Sequence, residues 1–117
     1  MSYRLPRHFA SQHRESNVEA LNYELLQESA GTLARLGLRL ERALEALAAH
    51  DAAAGEGGEK TAERDALVAA AGESLWYYVV QREVMGLRET ETVLRHLGVP
   101  REVRLRMGMA PRRTDAP

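Results

Sequence analysis

An arginine set among aromatic and apolar residues is the side chain of this sequence best placed to do chemistry. Arg82 lies in the segment Leu75-Trp-Tyr-Tyr-Val-Val-Gln-Arg-Glu-Val-Met-Gly-Leu-Arg88, which holds half of the chain's six aromatic residues. A buried guanidinium must find an acceptor, because an unpaired buried charge is costly. It could bind the carboxylate or phosphate of a ligand, or it could form a structural ion pair that fixes helix register. The structural interpretation is the more common outcome for such a residue.

The neighbours of Arg82 define a candidate pocket or interface. If the chain folds back about residue 56, Arg82 comes opposite Ala30, within reach of Glu28 and Ser29, with Glu24 as a further candidate. Aromatic side chains can line a ligand cavity, although at helical spacing they more often belong to a core or a dimer interface. The same geometry places Gly37 near Trp76. The candidate residues are Trp76, Tyr77, Tyr78, Gln81, Arg82, Glu83, Arg88 and Glu28.

Other catalytic and metal-binding patterns are not found in the sequence. Carboxylate-bridged metal sites in helical bundles use Glu-x-x-His pairs, whereas Glu45 and His50, like Glu91 and His96, stand five positions apart. There is no cysteine, no glycine-rich phosphate loop and no serine nucleophile elbow. We therefore expect no enzyme activity and no catalytic, cofactor-binding or metal-binding residues.

A helix-turn-helix over residues 91–107 is the alternative that would bind DNA. Leu97-Gly98-Val99 resembles the turn of such motifs, and Arg101, Arg104 and Arg106 could contact phosphates. The second helix is short, however, and Arg104 occupies a position that is usually apolar. Gly-Val-Pro is also an ordinary helix end followed by a new start. Nucleic-acid binding is therefore not the favoured function.

Charge and hydropathy restrict the partners. Sixteen basic residues oppose seventeen acidic ones, for a formal net charge of −1, so no overall field attracts nucleic acid or an anionic membrane. No apolar run is long enough to span a bilayer, and the first residues lack a signal-peptide core. Together with the absence of cysteine, these features predict a cytoplasmic protein with no membrane association.

The candidate residues must be positioned by helices, because the hydrophobic periodicity is helical and no strand pattern occurs. Residues 1–15 predict an N-terminal arm, and Ser16-Asn-Val-Glu19 has the form of a capping box that starts a helix running to about His50. Its apolar stripe consists of Val18, Leu21, Leu25, Leu26, Leu33, Leu36, Leu40, Ala43, Leu44 and Leu47. Residues 52–60, rich in glycine, predict a flexible loop.

Three more helices are predicted after the loop. Thr61 can cap a helix over residues 62–85 that ends near Gly86, and its stripe is Leu67, Ala71, Leu75, Tyr78, Arg82 and Met85. Shorter helices fit residues 88–97, before Gly98, and 100–107, before Gly108. Residues 109–117 predict a disordered tail, so residues 16–108 form one helical domain.

These elements predict an all-α fold: a long antiparallel helical hairpin with two short C-terminal helices. A second stripe on the middle helix, Trp76, Tyr77, Val80 and Val84, requires a second layer. Residues Val93, Leu94, Leu97 and Val103 of the short helices, or a second copy of the chain, could supply it. We expect both, in a homodimer with a four-helix core. A monomeric bundle is the alternative.

The chain also resembles a family of small, uncharacterised bacterial all-helical proteins, a domain of unknown function. The resemblance lies in Leu5-Pro6, Tyr23-Glu24, Trp76 with Val80-Gln-Arg-Glu83 and Gly86-Leu-Arg88, Gly98-Val-Pro100 and Glu102-Val103. It covers most of the chain outside the glycine-rich loop and the tail. It implies a similar helical fold and says nothing about chemistry.

The function expected from the sequence is that of a non-enzymatic binding or assembly module. A homodimer is the expected partner, and an unidentified protein could also bind. One alternative is a sensor of carboxylates or phosphates with a pocket near Arg82 and Trp76, and the other is the DNA-binding protein described above.

Overall fold

A computed structural model describes residues 7–55 and 61–108 of the chain, with side chains from residue 14 onwards. It contains α1 (Arg7–Ala54), α2 (Ala62–Val84), α3 (Thr90–Leu97) and α4 (Arg101–Arg106). There is no strand in these two ranges, and the predicted all-α class is confirmed. Contacts divide the chain into two compact units, Met1–Gly31 and Thr32–Pro117. None of the helices described is long and apolar enough to cross a membrane.

Helix α1 begins earlier than predicted. It starts at Arg7, directly after Pro6, so Ser16 lies inside the helix and does not cap it. Residues 7–15 contain neither glycine nor proline, and nothing in them interrupts a helix. The predicted arm is helical from Arg7 onwards, while residues 1–6 lie outside the described part of the chain, as does the predicted tail at 109–117.

The end of α1 also extends beyond its prediction. The helix continues to Ala54 and stops at Gly55, whose φ is 71° and whose N–H donates to the Asp51 carbonyl at 3.2 Å. Residues 52–54 of the predicted loop are therefore helical, because alanine is the strongest helix former. The rest of that loop, 56–60, is outside the described residues.

Helix α2 has the ends that the sequence predicts. The Thr61 hydroxyl accepts a hydrogen bond from the Arg64 backbone N–H at 3.1 Å, which confirms it as the N-cap. At the other end Gly86 takes a φ of 71° and donates to the Glu83 carbonyl, and Leu87 donates to the Arg82 carbonyl. These bonds satisfy carbonyls of the last turn, so the predicted stop at Gly86 is confirmed.

The two short helices start slightly later than predicted. Glu89 precedes α3 in the left-handed conformation, with a φ of 61°, so the helix begins at Thr90 and not at Arg88. Gly98 ends α3 as predicted. Pro100 is the N-cap of α4 and not its first residue, because its ψ of 151° is extended.

The core lies in the Thr32–Pro117 unit. Its buried apolar residues are Leu40, Leu47, Val68, Ala71, Leu75, Tyr78, Leu94 and Val103. Asp51 contacts Arg64, and Arg39 contacts Glu73. Where they contact each other, α1 and α2 therefore run in opposite directions. The short helices add Leu94 and Val103 to this core. The predicted stripe of α2 is confirmed at its four buried residues, Ala71, Leu75, Tyr78 and Arg82.

A glycine allows α4 to lie close against α2. A Cβ added at Gly72 would stand 2.9 Å from Cβ of Arg106 and 3.1 Å from its backbone carbonyl carbon and oxygen. Such distances are shorter than carbon atoms tolerate, so the two helices can approach this closely only where the side chain is missing. Gly72 therefore sets the spacing between α2 and α4.

The predicted stripe of α1 is buried along only part of its length. Leu40 and Leu47 are 0% and 2% exposed, whereas Val18, Leu21, Leu25 and Leu26 are between 51% and 63% exposed. The apolar residues 18–26 are therefore not core residues of the single chain.

Candidate functional site

Arg82 is buried as predicted and is held by its own chain. Only 8% of its surface is exposed. Its Nη2 donates to the Arg88 carbonyl at 2.8 Å, and its Nε donates to the Thr90 hydroxyl at 3.3 Å. Both acceptors are neutral oxygens of the connection between α2 and α3, so the guanidinium ties the end of one helix to the start of the next.

This connection needs such support because one of its residues, Glu89, has an unfavourable backbone conformation. Glu89 carries a side chain at a φ of 61°, a conformation that costs about 1 kcal/mol or more for most residues. Arg82 bonds on either side of this residue, to Arg88 and Thr90, and thereby holds the turn in place. The predicted pairing with Glu28 and Ser29 would join Arg82 to the other unit of the chain and stays a prediction.

The remaining candidates around Arg82 differ in exposure. Gln81 is partly buried, whereas Glu83, Arg88 and Glu28 are exposed. Arg82 donates to a backbone carbonyl and a hydroxyl, and a ligand anion would have to compete with both.

The three aromatic residues of α2 lie in different surroundings. Tyr78 belongs to the core, and a Cβ at Gly37 would lie 3.3 Å from its Cε2. Trp76 is 45% exposed and packs on Gly108, where a Cβ would lie 3.2 Å from the indole ring. The prediction that Gly37 lies near Trp76 is wrong. The side chain that lies against Gly37 is that of Tyr78.

Tyr77 marks an exposed surface on the opposite side of α2 from the core. The Arg39 guanidinium lies over its ring at 5.5 Å from the centroid, and Arg39 Nη2 also donates to Glu73 Oε1 at 3.4 Å. Val84 is exposed as well, so the second stripe predicted on α2 is only partly covered. The short helices supply Leu94 and Val103 to the main core.

An ion-pair network around Arg64 joins three helices and was not predicted. Arg64 Nε donates to Asp51 Oδ1 at 2.8 Å, and Nη1 donates to Glu102 Oε2 at 2.8 Å. These hydrogen bonds from Arg64 hold the pKa of Asp51 below its ordinary value of 3.8, and the two carboxylates raise the pKa of Arg64, with Glu102 the larger cause. Asp51 and Arg64 stand on either side of the loop, which is the signal that could have revealed this pair. Nothing in the sequence points to Glu102.

A surface cavity of about 250 Å³ lies beside this network. Its lining residues are Arg64, Asp65, Val68, Glu102, Leu105 and Arg106. Arg106 Nη1 donates to Asp65 Oδ1 at 2.7 Å, so both arginines of the cavity are paired with carboxylates of the chain itself. A second cavity has a volume of about 390 Å³ and lies between α1 and the end of α3. Its lining residues are Glu41, Leu44, Glu45, Ala48, His96, Leu97 and Gly98. Arg82 and Trp76 line neither of these two cavities.

The predicted phosphate-contacting arginines of α4 are largely engaged within the chain. Arg104 Nη1 donates to Glu91 Oε2 at 2.8 Å, and Arg106 bonds Asp65. Helix α4 itself has six residues. Of the three arginines, Arg101 is exposed, whereas Arg104 and Arg106 are partly buried. A duplex would have to separate two ion pairs before these side chains could meet its phosphates.

Metal ligands do not come together in the parts of the chain that the structure describes, where no group of three or more histidine or acidic side chains could hold an ion. His50 comes nearest to carboxylates, with Nδ1 at 3.8 Å from Asp51 Oδ1 and Nε2 at 3.9 Å from Glu63 Oε2. Both distances are longer than hydrogen bonds.

Comparisons with known proteins identify a family and no function. The sequence model of a family described as "Family of unknown function (DUF6665)" matches residues 8–115. That range contains every motif of the resemblance noted above except Leu5-Pro6. No curated protein and no solved structure matches the chain.

Proposed function

Since the chain belongs to the DUF6665 family, whose function is unknown, we propose its role from the geometry: it is a non-enzymatic assembly module that forms a homodimer through α1. The proposal rests on one observation. Val18, Leu21, Leu25 and Leu26 form an apolar surface on a regular helix, and each is more than half exposed in the single chain.

Such a surface is unusual in a monomer. Scattered apolar residues are common on protein surfaces, but a row of large aliphatic side chains along one helix is typical of an interface. Tyr77 and Val84 in the other unit add exposed apolar area. A second copy is the simplest partner, because in a two-fold dimer every contact made by one chain is repeated by the other.

The energy available is moderate. Burying the exposed half of a leucine or valine contributes roughly 1 kcal/mol, so four residues from each copy contribute about 8 kcal/mol. Association costs about 4–15 kcal/mol in lost freedom. The apolar row therefore needs further favourable contacts to give a dimer of micromolar affinity or better.

The dimer proposed is a four-helix core built from two antiparallel hairpins of α1 and α2. In this arrangement a second copy supplies the second layer for residues 18–26 of α1. The absence of cysteine in the sequence supports a reducing compartment, and we place the dimer in the cytoplasm on that ground.

The two alternatives have weaker support. A sensor of carboxylates or phosphates would need donors of Arg82 to be available, but Nη2 and Nε bond the chain's own oxygens. A DNA-binding protein would need Arg104 and Arg106, which pair with Glu91 and Asp65. A thermal-shift screen with organic acids and phosphates, and an anisotropy titration with random duplex at low salt, would reveal either activity.

Light scattering after size exclusion, over low to high micromolar concentration, tests the proposal. The wild-type chain should have twice the monomer mass at the higher concentrations. Leu21→Asp with Leu25→Asp should give a monomer that keeps its helical circular dichroism, because neither side chain belongs to the core. Leu105→Asp, at another exposed leucine, is the matched control and should stay dimeric. A wild-type chain that is monomeric at every concentration would contradict the proposal.

A further inference from the structure

We infer that the dimer is held by a charge-complementary contact in which residues 21–28 of one copy dock on residues 35–42 and Tyr77 of the other. This inference rests on the proposed homodimer and specifies which surfaces meet. The first surface, here the acidic face, consists of Leu21, Glu24, Leu25 and Glu28. The second, the basic face, consists of Arg35, Leu38, Arg39, Arg42 and Tyr77.

The acidic face combines leucines with glutamates on one side of α1. At 100° per residue, its four residues fall within an arc of about 100°. All four are exposed. Residues 14–31 carry Glu15, Glu19, Glu24 and Glu28 against Arg14, a net charge of +1 − 4 = −3. An apolar row in an acidic segment is suited to a basic, partly apolar partner.

The same charges disfavour a dimer in which residues 14–31 pair with their own copies. Such a pairing would bring two segments of charge −3 together, and like charges across an interface are repulsive. The partner surface must therefore lie elsewhere on the second chain.

The basic face in the other unit supplies what the acidic face requires. Arg35, Arg39 and Arg42 are exposed and fall within an arc of about 60° on α1. Leu38 and Tyr77 are 46% and 45% exposed, and the guanidinium of Arg39 lies over the Tyr77 ring. Arginines, a leucine and an aromatic ring together form a surface that can bury leucines and bond carboxylates at once.

The spacing of the charges also matches. Glu24 and Glu28 are four residues apart, and so are Arg35 and Arg39. When two helices run antiparallel, Glu28 can stand opposite Arg35 while Glu24 stands opposite Arg39. Under a two-fold axis this contact forms twice, because each copy has both faces. Arg39 keeps a second possible acceptor in Glu73 of its own chain, at 3.4 Å, and exposed pairs of that length are weak.

Charge reversal on the full chain tests the contact. Glu24→Arg with Glu28→Arg should weaken homodimerisation at least about tenfold, and Arg35→Glu with Arg39→Glu should do the same. Mixing the two variants should restore the dimer as a heterodimer, because every contact then joins opposite charges. Equilibrium sedimentation measures the dissociation constants, and native mass spectrometry identifies the heterodimer.

Controls separate this contact from general effects of charge and folding. Arg95→Glu with Arg101→Glu produces the same change in net charge on exposed residues outside both faces and should leave the dissociation constant within about threefold of wild type. Arg35→Glu alone leaves the Arg39–Glu73 pair intact and should still weaken the dimer if the double variant folds poorly. Circular dichroism checks the helical content of each variant.

The outcomes distinguish this inference from the function proposed above. A wild-type monomer would overturn the homodimer itself. A wild-type dimer whose dissociation constant is unchanged by Arg35→Glu and by Arg35→Glu with Arg39→Glu would overturn the charge-complementary contact and leave the homodimer standing. Failure of the two reversed variants to form a heterodimer would also overturn it.

Discussion

Leucines recur at helical intervals in both halves of α1, but their surroundings differ. In the Thr32–Pro117 unit, Leu40 and Leu47 are fully or nearly fully buried among residues of the other helices. In the Met1–Gly31 unit, Leu21 and Leu25 are more than half exposed. An amphipathic pattern therefore identifies the apolar side of a helix without identifying what covers it. In the second unit the covering residues belong to the chain, and for the first we propose that they belong to another copy.

Removing core leucine atoms should have the largest effect and tests this difference directly. Leu40→Ala should lower the free energy of unfolding by about 3 kcal/mol, because it leaves a cavity at a residue that is 0% exposed. Leu21→Ala, measured at dilutions where the chain is monomeric, should change it by less than about 0.5 kcal/mol. Urea unfolding of both variants measures these values. Equal losses would mean that the two halves of α1 do not differ.

Arg82 should be the next most important contributor to the Thr32–Pro117 unit. Arg82→Ala should cost about 2 kcal/mol, because the Arg88 carbonyl and the Thr90 hydroxyl lose their donor. Thr90→Val, which removes only the longer bond, should cost less. Thermal and urea unfolding provide the comparison. Full stability in Arg82→Ala would contradict the structural role of this arginine.

The close approach of α2 and α4 predicts a smaller loss. Gly72→Ala should destabilise the chain by about 1–2 kcal/mol, since the added methyl group meets Arg106 backbone atoms that cannot rotate away. Gly37→Ala is the matched helical control, because its new methyl group would meet only the ring of Tyr78 at 3.3 Å. It should be close to neutral, as alanine also favours the helix. If Gly72→Ala were as stable as Gly37→Ala, the spacing of the two helices would not depend on Gly72.

The Arg64 network predicts the smallest effect, visible as a dependence on pH. The hydrogen bond from Arg64 lowers the pKa of Asp51 below 3.8, so its contribution to stability is present above that pH and is lost as the pH falls through the lower folded value. The melting temperature of the wild-type chain should exceed that of Asp51→Asn at neutral pH, and the difference should shrink below pH 3.8. A difference that grew on acidification would contradict the assignment.

Local signals in the sequence predicted many of the helix ends and failed where contacts are distant. Thr61, Gly86 and Gly98 act at α2 and α3 as predicted, because a cap depends on the few residues beside it. The start of α1 was misplaced, since Ser16 has the form of a cap but a helix already runs through it from Arg7. A capping motif cannot start a helix where the preceding residues are themselves helical.

The candidate site was predictable only in part for the same reason. The burial of Arg82 follows from its place in the apolar stripe of α2, whereas its acceptors on residues 88 and 90 depend on how the chain turns after Gly86. Glu102 lies 38 positions from Arg64, and no local pattern connects the two. The register between α1 and α2 likewise decides that Tyr78, and not Trp76, lies against Gly37.

The sequence by itself determined the helical class, the apolar side of each long helix and the burial of one arginine, because periodicity and capping are properties of neighbouring residues. The tertiary structure alone decided which apolar residues are covered, which carboxylates hold Arg64 and where Gly72 lets two helices touch. These depend on the register between helices, which is set by the length of the connections and by packing over the whole core. Val18, Leu21, Leu25 and Leu26 of α1 are exposed in the structure, and that exposure is the basis of the function proposed for this chain.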